Sequence, residues 1–238
     1  MLSLSRITVI PVISECERQE AIQVLRATYE REKGWVTDGN QVFSPDDLDN
    51  FNVGWFLARR NREPVGVLRV LFNPPLAVYA RYGFQPVPGS NFNITEFVRQ
   101  SRVAEIGRFA VLPEQRKNHY IAASLMRAAV HDTLERGFTH YLTDIFEGER
   151  HSPYLFHTRV MGFEPVATHD VGELNCPNRR VTMVLDLQAA YRRLRHSGGW
   201  LFRYLTADWS ETLHRRLSGG PAAPQGAIVS HFVDPVLA

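Results

Sequence analysis

The sequence predicts an α/β fold, a mixed twisted sheet with helices on both faces, plus a C-terminal helical extension. Two observations predict the sheet and its helices: short β-branched runs alternate with segments of helical period, and glycine or proline closes most of those segments. A third predicts the extension. Beyond residue 187 leucine and tryptophan recur at every fourth position, at 201, 205, 209, 213 and 217, among many arginines. The expected division is therefore a domain over 1–187 and a basic helical tail over 188–238.

In chain order, 7–13 reads as a strand that ends near Pro11. Residues 17–33 read as an amphipathic helix with Ile22, Leu25 and Tyr29 on one face and Gly34 as its stop. Segments 55–60 and 65–72 form a hairpin across Asn61-Arg62-Glu63-Pro64. Residues 73–97, broken by Pro74-Pro75 and Pro86-Val87-Pro88-Gly89, read as a loop region around one short helix. Residues 103–111 make a central strand. Residues 120–136 make a long helix whose inward face carries Ile121, Leu125, Ala128 and Ala129, capped by Gly137. A strand at 141–146, a helix at 153–161 closed by Gly162, and a last strand at 181–187 complete the domain. Gly-Phe-x-Pro-Val occurs twice, after Tyr82 and after Met161, which is shared capping chemistry and not a duplicated domain.

Composition bounds the function. The chain has 238 residues, 44% hydrophobic and 22% charged, enough for one substantial core. A net charge of +2 is too small to indicate nucleic acid binding, and six arginines against two acids place the basic excess in 188–217. No apolar run approaches the roughly 20 residues of a membrane span and no signal-peptide pattern opens the chain, so a cytoplasmic location is expected. Cys16 and Cys176 make neither a disulfide framework nor a metal site, and six scattered histidines from His119 to His169 lack ligand spacing; no metal is expected.

The chemistry-bearing residues lie between Arg26 and Arg108. Leu25-Arg26-Ala27-Thr28-Tyr29 leads to Trp35; Asp46-Asp47-Leu48-Asp49 precedes a strand; Gly66-Val67-Leu68-Arg69 puts an arginine in the next strand; and Glu105-Ile106-Gly107-Arg108-Phe109-Ala110-Val111 sets a glutamate and an arginine three apart before Phe-x-Val. A carboxylate can take a proton from an amine, and fixed guanidinium groups can hold a carboxylate or orient an acid. Each piece also has a plainer reading. Glu105 can simply brace the strand through Arg69 or Arg108, the arginines can be surface groups, Trp35 can be a core aromatic, and Asp46 and Asp49 can be turn and cap residues. Strict alternation puts Glu105 and Arg108 on opposite faces, whereas a β-bulge near Gly107 brings them together.

In order and spacing these four pieces resemble the acyl-homoserine-lactone (autoinducer) synthases and the related N-acyl amino acid synthases, branches of the GNAT acyltransferase superfamily. The resemblance covers roughly residues 4–187. It implies a GNAT-type sheet and N-acyl transfer from an acyl thioester, with a medium or long chain, to the amine of an amino acid or its derivative. It implies Glu105 and Arg108 as catalytic residues, and Arg26, Trp35, Asp46, Asp49 and Arg69 as acceptor-binding or scaffold residues. Phe109, Val111, Arg116, Lys117, Tyr120 and Ala122 would bind the donor. No cofactor is permanently bound; acyl-phosphopantetheine on an acyl carrier protein, or acyl-CoA, is the co-substrate.

Two departures bear on the donor. Acetyltransferases of this superfamily cradle the coenzyme A diphosphate with Arg/Gln-x-x-Gly-x-Gly/Ala at a helix N-terminus. Here the segment is Lys117-Asn118-His119-Tyr120-Ile121-Ala122, with tyrosine in the first glycine position. That weakens a diphosphate site and favours a carrier protein as partner, with Arg116, Lys117 and Arg127 as a basic landing. The tyrosine that commonly protonates the leaving thiolate is replaced by Thr158, with Tyr154 one turn earlier. The alternatives are a small-molecule acetyltransferase using acetyl-CoA and a non-catalytic protein that binds acyl ligands or carrier protein. For the tail, packing on its own domain or on a second copy competes with peripheral membrane contact.

Overall fold

The computed structural model describes residues 7–74, 81–149 and 152–219. One eight-stranded sheet organises the chain. Its strands are β1 (Ile7–Pro11), β2 (Val53–Arg60), β3 (Glu63–Phe72), β4 (Gln85–Pro86), β5 (Val103–Val111), β6 (His140–Phe146), β7 (Glu164–His169) and β8 (Arg180–Asp186), in the order β1-β2-β3-β5-β6-β8-β7-β4. All neighbours are antiparallel except β5 and β6. Strands β4 and β7 were not anticipated: each carries a proline near its start, and β4 is only two residues long.

Both faces of the sheet are covered, and period-two alternation sorts the side chains between them. Phe56 and Ala58 of β2 and Leu68, Val70 and Phe72 of β3 join one core, with Ile121, Leu125, Met126 and Ala129 of helix α3 (His119–Glu135). A Cβ at Gly66 would lie 3.1 Å from both Ile121 and Leu125, so glycine there lets the helix approach the sheet. Trp55, Leu57 and Val67 point the other way, onto Ala21, Ile22 and Leu25 of α1 (Glu15–Leu25). Ser14 and Glu17 close a reciprocal capping box at the start of α1. The helix then continues as a π-helical segment, Arg26–Glu32, which shifts the register of everything after it by widening the turn. Helix α2 (Ile94–Gln100) is the short helix of the proline-broken region. Residues 75–80 of that region lie outside the described residues.

The extension folds as α4 (Leu187–Ser197), α5 (Trp200–Thr206) and α6 (Glu211–Ser218). The every-fourth-residue stripe is divided between two helices, because the chain breaks at 207–210 and Ser210 caps a new start. Leu187, Ala190, Tyr191, Leu201, Leu205, Leu213 and Leu217 are buried in the same core as α3. The described part of the tail, to residue 219, thus joins the main core, and the leucines of the stripe point inward. Residues 220–238 lie outside the described residues. Among the described residues no helix is long and apolar enough to cross a membrane.

Candidate active site

Strands β5 and β6 pair only from Val103↔His140 to Ile106↔Thr143, where Thr143 Oγ1 donates to the Ile106 carbonyl at 2.9 Å. Beyond that point β5 stays with β3 while β6 stays with β8, and the two strands part. A bulge in β5 accompanies the parting: Val67 pairs with Ala110 and Arg69 with Gly107, so three steps of β5 face two of β3. The residue that absorbs the bulge is Arg108, at φ 51°, and not Gly107. A left-handed arginine is a costly conformation that the surrounding ladder must hold.

The opening is a cleft of about 580 Å³, reaching from Tyr82 and Gly172 at one end to Arg116, Asn118, His119 and Ala122 at the other. Its floor is the β5 edge from Glu105 to Val111, and from Gly107 onward the backbone groups on that side have no strand to pair with.

At the Tyr82 end four charged side chains converge. Arg69 Nη2 donates to Glu105 Oε1 at 3.2 Å, and Arg108 Nη2 donates to Glu173 Oε2 at 2.6 Å. Arg69 Nη2 also lies 3.5 Å from the same Glu173 oxygen. The two guanidinium groups are only 11% and 12% exposed, Glu105 is 20% and Glu173 is 44%. Burial, and then the neighbouring Arg69, pull the Arg108 pKa down, while Glu173 pulls it back up. Tyr82 on the cleft wall has its phenol pushed up to about 12 by burial and by the charges of Glu173, Glu105 and Asp144. Tyr29, from the π-helical segment, is raised chiefly by burial.

Behind Tyr82, the His169 ring stacks on the phenol at 5.3 Å and meets Phe84 edge-on. Its Nδ1 donates to the Val171 carbonyl, and Nε2 lies 3.1 Å from Asp144 Oδ2 without a hydrogen bond between them. Asp144 also accepts from Thr182 at 2.7 Å.

The far end of the cleft is built differently. Asn118 caps α3 by accepting from Tyr120 N at 3.2 Å, which occupies a backbone N–H otherwise available to an anion. The Tyr120 ring turns away to pack on Trp200 and Tyr204 of α5. Arg116 is a bidentate partner of Glu32 and also donates to the Val111 carbonyl, tying the start of α3 to the π-helical segment. Next to it Lys33 pairs with Glu149, and Trp35 packs on Phe146 of β6 at 4.4 Å. Residues 32–35 therefore form a strap across the splayed strands.

Of the residues singled out in the sequence, Glu105, Arg108, Phe109, Val111, Arg116, Ala122 and Trp35 line the cleft, and Arg69 joins through Glu105. The others lie elsewhere. Arg26 packs against Gly39 in a shallow groove on the outer side of α1. Asp46 and Asp49 are exposed in and just after the Ser44-capped turn Pro45–Leu48, where Asp47 takes the structural hydrogen bond from Trp55. Lys117 is exposed and makes no ion pair among the described residues, whereas Arg127 is paired with Asp208, so the basic landing reduces to Lys117. Tyr154 and Thr158 do not line the cleft. His157 does, because the segment Phe156–Met161 is π-helical and turns it inward. Its Nδ1 donates to the Pro153 carbonyl, and burial holds its pKa down, so the ring is neutral with Nε2 as an acceptor. Glu173, Tyr82 and Asp144 had no local motif to reveal them.

A splayed β5/β6 pair, a carboxylate on the β5 floor and an open strand edge beside a capped helix define an acyltransferase of the GNAT type. The model of the N-acyl amino acid synthase FeeM family matches residues 20–185; the chain belongs to that family and is an N-acyltransferase. Among solved structures, FeeM, an N-acyl amino acid synthase from uncultured soil microbes, superposes with a TM-score of 0.61 over 84% of this chain and 98% of its own, at 17% identity. The ribosomal-protein-alanine N-acetyltransferase of Brucella melitensis gives 0.53 over 76% and 99% at 16% identity. FdhC, a nucleotide-linked sugar GNAT, gives 0.51 over 82% and 95% at 13%. At such identities these likenesses establish the fold. No curated protein matches the sequence.

Proposed function

We propose that this enzyme transfers a medium- or long-chain acyl group from a thioester to the α-amine of an amino acid or amino-acid derivative. The observation that carries the reading is the pairing, on the cleft floor, of a proton acceptor with carboxylate-binding groups: Glu105 oriented by Arg69, beside the buried Arg108. Glu105, directly or through one water, takes the ammonium proton. The freed amine attacks the thioester carbonyl, whose oxygen is met by the open β5 edge near Phe109 to Val111. The intermediate collapses with cleavage of the C–S bond; the sulfur leaves as a thiolate and then takes one of the nitrogen's two remaining protons, while the other stays on the amide. With a reference thiol pKa of about 8.5, the thiolate leaves at modest cost without a dedicated acid.

For the donor, phosphopantetheine on an acyl carrier protein is favoured over coenzyme A. The support is the self-capped start of α3, where Asn118 takes the Tyr120 N–H and Arg116 is bound to Glu32, so little is left to hold a diphosphate. Mass spectrometry of lipid extracts from cells overproducing the chain tests the whole reading, since head group and chain length appear together. Absence of any N-acyl amino acid, with acetyl-CoA turning over faster than dodecanoyl carrier protein in vitro, would replace it with small-molecule acetylation.

A further inference from the structure

The arginine pair on the cleft floor already has an occupant, and its geometry is that of a guest. Arg69 and Arg108 are nearly buried, and a buried guanidinium needs an anion. Glu173 supplies one through a single oxygen, Oε2, at 2.6 Å from Arg108 and 3.5 Å from Arg69. A guanidinium fork is best filled by two parallel bonds to both carboxylate oxygens. Here, among the described residues, Glu173 Oε1 has no hydrogen-bond partner and neither does the buried Arg108 Nε. The site is neutralised but not saturated.

The loop that carries Glu173 is fixed, while its side chain is not. Arg180, buried behind it, donates to the carbonyls of Asp170 at 2.6 Å and Leu174 at 2.5 Å, and His169 donates to Val171. Gly172 makes this possible, since a Cβ there would lie 2.5 Å from Arg180 Nε. Asn175 N is held by the Trp35 carbonyl. Between these anchors the Glu173 side chain is 44% exposed, so it can leave for water without moving the backbone.

We propose that Glu173 occupies the place of the acceptor's carboxylate in the Arg69–Arg108 fork, that acceptor entry displaces it, and that it thereby sets the enzyme's selectivity for amines that bear a carboxylate. This rests on the acylation of an amino acid in this cleft. Charge balance gives the displacement its reason. Among the described residues Arg69 and Arg108 are offset by Glu105 and Glu173, so once the acceptor's ammonium has given up its proton and become an amide, its carboxylate is a third anion on two guanidinium groups in a part-buried site unless Glu173 departs. Asp144 and the buried Arg180, which line the same cleft, add one charge of each sign and leave that balance unchanged among the described residues. The competing role, Glu173 as the anchor of the acceptor's ammonium, predicts weaker binding of the free amino acid on removal of its charge and no carboxylate-dependent gain with N-acylated probes, which carry no ammonium.

Calorimetric titration with two product-type probes, N-dodecanoylglycine and N-dodecanoylglycinamide, separates the roles. Glu173→Gln and Glu173→Ala should each bind the carboxylate probe about fivefold more tightly than the unchanged enzyme, the scale of one half-exposed charge-assisted bond, and bind the carboxamide with little change. Adding Arg108→Gln to Glu173→Gln should erase the carboxylate preference. Equal changes for the two probes, or weaker binding of the acid, overturn the role of Glu173 while leaving acyl transfer intact. Failure of every form to bind either probe overturns the acyl amino acid reading, and this inference with it.

Discussion

Replacing Glu105 by glutamine isolates proton removal from everything else the side chain does. The amide has the same shape, and its oxygen still accepts from Arg69 Nη2, which now sits 3.2 Å from the carboxylate. The site is only 20% exposed, so the lost charge is felt by both guanidinium groups, yet Glu173 still offsets one of them. The stability loss should therefore stay near the ~1–2 kcal/mol of a part-buried charge-assisted bond, and the variant should fold. Activity should fall much further. A positioned base contributes about 10²–10⁴-fold, equivalent to about 3–5 kcal/mol of barrier, so kcat/KM at pH 7 should drop by about that factor. The loss should narrow as pH rises through the amine's own pKa, because an acceptor already deprotonated in solution needs no base. Initial rates with saturating thioester, read by mass spectrometry at pH 7, 8 and 9, give the profile. A loss below about threefold throughout would refute Glu105 as the base and leave it a brace for the strand.

Arg108→Lys should cost about tenfold or more in kcat/KM for a carboxylate-bearing acceptor, since a point charge at this left-handed position cannot present a planar fork; unchanged kinetics would remove Arg108 from the site. A chain ending at Leu187 should fail to fold stably. Among the described residues it lacks six buried apolar ones, Ala190, Tyr191, Leu201, Leu205, Leu213 and Leu217, and the large ones contribute about 1.5–3 kcal/mol each, against a typical total stability of about 5–15 kcal/mol. A cooperative urea transition in the shortened chain would contradict that. His157, with its pKa lowered by burial, adds stability that is fully present above its unfolded pKa of about 6.5 and is lost as pH falls through the lowered folded value. His157→Gln should therefore show a smaller fall in urea midpoint between pH 7.5 and 5.5 than the unchanged protein; an equal fall would mean that the ring is not held neutral.

Much of the fold was legible because alternation and period are local. Segments 55–60, 65–72 and 103–111 carry side chains for two cores on alternating positions, and only a strand buried on both faces reads that way. Glu105 and Arg108 were legible for a related reason: a glycine between a glutamate and an arginine in an apolar strand signals an irregularity, although Arg108 and not Gly107 takes the unusual φ. Asp46 and Asp49 show the reverse. Their spacing matched a motif, and in the structure they lie in and just after a serine-capped turn, exposed and outside the cleft.

The residues that escaped the sequence complete the site from a distance. Glu173 is 65 positions from the Arg108 it neutralises and 104 from Arg69, in a loop whose shape depends on Arg180, itself buried on another strand. No window of sequence contains that arrangement, because electrostatic partners are chosen by the folded topology, and β6, β7 and β8 must pair before the loop reaches the cleft. The same holds for His157, which faces the cleft only because its helix widens into a π-turn that its composition does not announce. The strand carrying Glu105 and Arg108 was therefore readable locally, whereas Glu173, the residue proposed to compete for the acceptor's carboxylate, comes from the far half of the sheet. On that proposal, selectivity between acceptors changes through the 170–179 loop without altering Glu105, Arg108 or the bulge that joins them.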